Sequence, residues 1–138
     1  MSSAMIWKEY RILVVEDDEN LRGVLDSVFR RKGAIVLTAG NGLEALKIVT
    51  TQKVDIILSD VQMPISDGLE LLDNVRKMNP EIPVVFLATG FADLDEKQAL
   101  ERGAALLIHK PFSMSRLTTS MENVILSIKS GGAHGFAS

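Results

Sequence analysis

Four short polar signals stand far apart in this chain, each just behind a strand-like apolar run. Glu16-Asp17-Asp18 follows Ile12-Leu13-Val14-Val15, Asp60 follows Ile56-Ile57-Leu58, Thr89 follows Val84-Val85-Phe86-Leu87, and Lys110 follows Leu106-Leu107-Ile108. Continuous apolar runs of this kind read as buried parallel strands, whose carboxyl ends share one edge of a sheet. Acids, a hydroxyl and an ammonium would then meet in one place. Carboxylates gathered there repel one another, so Glu16, Asp17 and Asp60 should either raise a pKa or recruit a cation. A hard divalent ion is the simpler solution: magnesium takes a few carboxylates, a carbonyl and waters, and commonly brings phosphate oxygens with it. Lys110 suits that phosphate as a positive charge and Thr89 as a hydrogen-bond donor, while Gly90 leaves room for its approach. A carboxylate can itself be a nucleophile, forming an aspartyl phosphate.

The elements that must position these residues alternate along the chain. Leu21, Val24, Leu25, Val28 and Phe29 recur at helical spacing and form an apolar stripe that Gly33 can end. Ile35 to Ala39 reads as a second strand, with Asn41 as cap of a helix over Leu43 to Val49 whose Leu46 and Val49 face inward. Leu69 to Met78 forms a third helix, and Pro80 and Pro83 break the chain before the fourth strand. A fourth helix near Leu94 to Arg102 has the weakest apolar face, with Leu94 and Leu100 almost its only large apolar residues, and is therefore a candidate for movement. Leu117, Met121, Val124, Ile125 and Ile128 make the stripe of a fifth. Five strands alternating with five helices imply an α/β, doubly wound parallel sheet, whose ligands bind beyond the carboxyl ends of the strands.

With 138 residues, 46% of them hydrophobic, the chain suits one globular domain. A net charge of -3 argues against direct binding to nucleic acid or to an anionic membrane. The one basic run, Arg30-Arg31-Lys32, falls at a helix end, where cations complement the dipole. Zero cysteines leave no disulfide or thiolate site, and no apolar run approaches the roughly 20 residues of a membrane span. The expected location is cytoplasmic. The small residues of 131–138 suit a flexible tail or linker stub.

Jointly these motifs resemble the receiver domain of two-component response regulators, over roughly residues 9 to 130. The resemblance rests on the acid pair Glu16-Asp17, on Asp60-x-x-Met63-Pro64-x-x-Asp67-Gly68, on Thr89, and on Lys110-Pro111-Phe112. It implies a flavodoxin-like sheet of order 2-1-3-4-5. It divides the chain into an N-terminal extension (1–8), the receiver (9–130) and the tail (131–138). It further implies that Asp60 accepts a phosphoryl group from a phosphohistidine on a partner histidine kinase or phosphotransfer protein. Asp17, Asp60 and the backbone carbonyl of Gln62 would hold Mg2+, with Glu16 acting mainly through water. Lys110 would pair with a phosphoryl oxygen, Thr89 would reorient towards the phosphorylated aspartate, and Lys110-Pro111 would be cis. Such a domain is a signalling phosphoacceptor and not an enzyme acting on other substrates. Its downstream target would be reached through the face of helix four, strand five and helix five. Leu107 stands where many members of this family carry an aromatic residue that tracks phosphorylation, so the signal is expected to leave by backbone and helix displacement.

Each residue taken singly has a blander role: Asp60 could cap a turn, Thr89 could satisfy a strand end, and Lys110 could be solvated. Their conjunction, in order, favours the site. Asp18 and Asp67-Gly68 are expected to cap and shape helix starts, and the strand-end His109 to be structural. A receiver within a hybrid kinase or larger regulator is the main alternative. A magnesium-dependent aspartyl phosphohydrolase would carry a second Asp where Gln62 stands. A nucleotide-binding domain would have a glycine-rich loop where Glu16-Asp17-Asp18 stands. A phosphorylation-independent pseudo-receiver need not retain the acids, Thr89 and Lys110.

Overall fold

The computed structural model describes residues 6–61, 67–88 and 96–129. The expectations placed on Gln62, Met63-Pro64, Thr89, Gly90, Leu94 and the tail lie outside the described residues. Five parallel strands, β1 (Arg11–Val15), β2 (Ile35–Ala39), β3 (Ile56–Asp60), β4 (Val84–Ala88) and β5 (Leu106–His109), form one sheet of order β2-β1-β3-β4-β5. The connecting helices are α1 (Glu19–Arg31), α2 (Gly42–Thr51), α3 (Gly68–Met78), α4 (Glu96–Glu101) and α5 (Met114–Lys129). The order reverses between β1 and β3. In doubly wound sheets of this kind, ligands bind beyond the carboxyl ends of the strands at such a reversal.

The unbroken apolar strands follow from cover on both faces. Leu13, Val15, Ile57, Val84, Phe86 and Leu107 pack with Ala45 of α2, Leu71, Leu72 and Val75 of α3, and Ala99 of α4. Ile12, Val14, Ile56, Leu58, Val85, Leu87 and Ile108 point the other way, onto Leu25 and Phe29 of α1 and Leu117, Met121, Val124 and Ile125 of α5. Two layers of side chains thus grip the sheet, one per parity of residue number along each strand.

Three details depart from the expected pattern. The stripe on α1 is narrower, because Leu25 and Phe29 are buried while Val24 is 47% exposed. At about 100° per residue, Val24 lies well round the helix from the line through Leu21, Leu25 and Phe29. In α4 the fully buried residue is Ala99, with Leu100 only partly covered; a small side chain lets this six-residue helix sit close to the sheet. At the other end of the chain Ile6 and Trp7 belong to the core, a contribution the short apolar content before Tyr10 did not announce. The Trp7 ring stacks at a tilt on Phe29, with centroids 5.0 Å apart, and its Nε1 donates to Glu122 Oε2 of α5 at 2.8 Å.

Capping follows the expected residues. Asp18 Oδ1 accepts from the N–H groups of Asn20 and Leu21, Asn41 Oδ1 from Glu44, and Asp67 Oδ1 from Glu70. Each cap satisfies backbone N–H groups in the first turn of its helix.

Candidate functional site

Strand parity carries the candidate residues to one spot. Glu16, Asp60 and Lys110 continue the even-numbered side of β1, β3 and β5, and the register that pairs Val15 with Ser59 makes Glu16 and Asp60 the next neighbours. Lys110 is two strands from Asp60, roughly 10 Å across the sheet, a span that an extended lysine can close by leaning over the end of β4. Its Nζ lies 3.3 Å from Asp60 Oδ2 and 3.3 Å from Glu16 Oε1. Lys110-Pro111 is a cis peptide.

Glu16, Asp17 and Asp60 each offer a carboxylate oxygen within 4.8 Å of the other two. Glu16 and Asp60 are buried, at 1% and 6% exposure, whereas Asp17 faces solvent. Burial pushes the Glu16 carboxyl up to about 7; the Asp18 N–H lowers it, the Asp60 charge raises it, Lys110 lowers it again, and an Asp17 hydrogen bond raises it. Lys110 is raised as well, for a different reason. Burial alone would lower its pKa, but Asp60 and Glu16 outweigh that and hold the ammonium above its ordinary value.

One atom is left over. Asp60 Oδ1 is buried and has no hydrogen-bond partner among the described residues, although an unsatisfied buried oxygen costs about 1–3 kcal/mol. Together with two further carboxylates within reach, this fits a hard cation with open positions for phosphoryl oxygens. The three acids and Lys110 are therefore brought together as expected. Thr89 and the Gln62 carbonyl lie outside the described residues.

Three further residues support the site, of which sequence reasoning overlooked Ser59 and Arg22 and named Gly68 only for the turn and helix start. Ser59 is fully buried and its Oγ donates to the Asp60 carbonyl at 2.9 Å. Gly68, which opens α3, donates its N–H to Val61 O at 2.8 Å. A Cβ built on Gly68 would lie 2.6 Å from Asp60 O and 2.9 Å from Phe86 Cε1, so only a residue without one lets α3 sit this close. The third is Arg22 of α1, whose Nη1 donates to Glu16 O at 2.9 Å. No local motif marks a serine inside an apolar run or an arginine on a helix; the spacing from Asp60 to Gly68 was the one signal available.

Compared with known proteins, residues 12–122 match the response regulator receiver domain family. Sporulation initiation phosphotransferase F of Bacillus subtilis is 32% identical over 116 residues, covering 83% of this chain and 93% of that protein. A probable transcriptional regulator of Cyanidium caldarium is 36% identical over 126 residues, 91% of this chain but 50% of the relative. The chain thus spans about half the length of curated transcriptional regulators of this kind. Among solved structures, the receiver domain of a Francisella response regulator superposes with a TM-score of 0.79 at 29% identity, over 88% of this chain and 99% of that one. The response regulator TrrA of Thermotoga maritima, in complex with Mg(2+)-BeF, gives 0.72 at 29% identity, over 83% and 97%.

Proposed function

This chain belongs to the response regulator receiver domain family, and on that premise we propose that it is a phosphoacceptor whose Asp60 takes a phosphoryl group from the phosphohistidine of a histidine kinase or phosphotransfer protein. The observation that carries the reading is the pair of buried acids Glu16 and Asp60 under a half-buried Lys110, whose Nζ lies 3.3 Å from both, with Asp60 Oδ1 lacking a partner among the described residues. Asp60 supplies the nucleophilic carboxylate oxygen; its bond to phosphorus forms as the phosphorus–nitrogen bond of the donor breaks, and the electron pair of that bond stays on the ring, which, already protonated on its other nitrogen, leaves as neutral imidazole. Lys110 steadies the negative charge of the transferring group, a preorganised electrostatic role. Thr89 is assigned to hydrogen-bond the modified aspartate.

Glu16, Asp17, Asp60 and the Gln62 carbonyl would hold Mg2+. When bound, the ion neutralises the acids and orients phosphoryl oxygens. The complex of TrrA with Mg(2+)-BeF supports that assignment. The name of the Bacillus phosphotransferase, of which this chain covers 93%, supports phosphoryl transfer by a domain of this size. Output is assigned to the α4, β5 and α5 face and a protein partner or effector domain, in the cytoplasm, with no direct contact between this domain and nucleic acid. Among the described residues no helix is long and apolar enough to cross a membrane.

Incubation with a small acyl phosphate and magnesium, followed by intact mass measurement, tests the reading. One added phosphoryl group, dependent on the divalent ion and lost in Asp60→Asn, is expected. Labelling that persists in a folded Asp60→Asn variant would overturn it.

A further inference from the structure

Arg22 lies one turn into α1, and its guanidinium reaches back to the end of β1. Nη1 donates to the Glu16 carbonyl at 2.9 Å in a partly buried setting. The rest of Glu16 is held as well. Its N–H donates to Ala39 O at 3.0 Å, Oε2 accepts from the Asp18 N–H at 3.1 Å, and Oε1 faces Lys110 at 3.3 Å. The peptide whose carbonyl Arg22 grips is the one that joins Glu16 to Asp17. Its orientation sets the direction in which Asp17 leaves the strand.

Asp17 is the exposed member of the three acids and lies beyond the last residue of β1, so no ladder bond of the sheet fixes it. Space for the guanidinium is provided at the end of β2: a Cβ built on Gly40 would lie 3.3 Å from Arg22 Nη1. Arginine suits the task because it stays charged at every working pH and its hydrogen bond to a carbonyl is charge-assisted.

We propose that Arg22 is a positioning residue for the acid pair: by holding the Glu16 carbonyl it aims Asp17 at the same point as Glu16 and Asp60, and so preorganises the divalent-cation site. The inference rests on the receiver reading, and it has a definite sign. Deleting a positive charge beside a cation site tightens binding if charge alone matters, whereas deleting the brace weakens it.

Calorimetric titration of the full chain with magnesium chloride alone decides between them. Arg22→Ala is expected to weaken magnesium about threefold to tenfold, the worth of one hydrogen bond, and Arg22→Lys to recover part of the loss. In the metal-free protein, amide exchange at Asp17 and Asp18 should quicken in Arg22→Ala. The labelling deficit of Arg22→Ala should shrink as magnesium is raised at fixed donor. Unchanged or tighter magnesium binding in Arg22→Ala, or a deficit overcome by donor and not by magnesium, would overturn the inference while leaving the receiver reading intact. Failure of the wild type to bind magnesium would instead overturn both.

Discussion

Gly68 is seated against the backbone of Asp60: the position its Cβ would occupy is 2.6 Å from the Asp60 carbonyl oxygen. The helix that follows the candidate phosphoacceptor thus begins in van der Waals contact with that residue's own peptide. Gly68→Ala must push α3 away from β3 or bend the end of β3. Overpacking of this kind costs about 1–3 kcal/mol. Urea unfolding followed by circular dichroism should reveal the loss, and mass labelling should reveal slower phosphorylation in the fraction that remains folded.

Lys110→Ala leaves Glu16 and Asp60 buried without their shared cation. Removing one preorganised electrostatic donor typically costs about a hundredfold to a thousandfold in rate, and a fall of that order is expected for labelling of Asp60 by a small acyl phosphate. Magnesium binding should survive, since the ammonium is not a ligand. A labelling rate within a few-fold of wild type at saturating magnesium would remove Lys110 from the chemistry.

The raised carboxyl of Glu16 predicts how stability depends on pH in the absence of metal. Its ordinary value is 4.5 and its folded value about 7, so between those limits the folded chain holds a proton that the unfolded chain has released. Stability from this group is full below about 4.5 and is lost as pH rises through about 7. Chelated protein should therefore lose on the order of 1–3 kcal/mol between pH 5 and pH 8. Glu16→Gln should flatten that slope. Magnesium should bind more tightly at pH 8 than at pH 6 and release a proton on binding, which titrations in two buffers of different ionisation enthalpy will detect. At ten times its Kd the ion should restore about 1.4 kcal/mol.

Glu122 accepts the Trp7 indole N–H at 2.8 Å and stands 3.7 Å from Lys32 Nζ. Glu122→Ala strands a buried donor and should destabilise the fold by about 1–3 kcal/mol, while Trp7→Ala opens a core cavity worth about 3–5 kcal/mol. Neither change touches the acids. Labelling of Asp60 in folded Glu122→Ala should match wild type, and a tenfold loss there would show that the two ends of the domain are coupled.

The alternation of strands and helices was legible because buried parallel strands are apolar on both faces and punctuated by polar ends. The same punctuation exposed Glu16, Asp17, Asp60 and Lys110. Parity and register then explain why residues up to 94 positions apart meet. What stayed hidden depends on contacts across elements. Val24 reads as core by spacing yet lies off the buried line of α1, and Ala99 outranks Leu100 because closeness to the sheet favours a small side chain. Ser59 and Arg22 carry no local mark of their hydrogen bonds to the site. Trp7 precedes the first strand and declares its role only through Phe29 and Glu122.

Trp7 is the sole tryptophan of the chain and is fully buried. It sits ahead of β1, whereas the acids lie behind it, so a five-residue strand, roughly 17 Å, separates the indole from the chemistry. The protein therefore carries a natural fluorophore that neither magnesium nor a phosphoryl group can quench by contact. Its emission reads the packing around Tyr10, Phe29 of α1 and Glu122 of α5. Any spectral change on labelling Asp60 would be a direct optical measure of a rearrangement that runs along the strands from their carboxyl ends to their amino ends, obtained without attaching a dye.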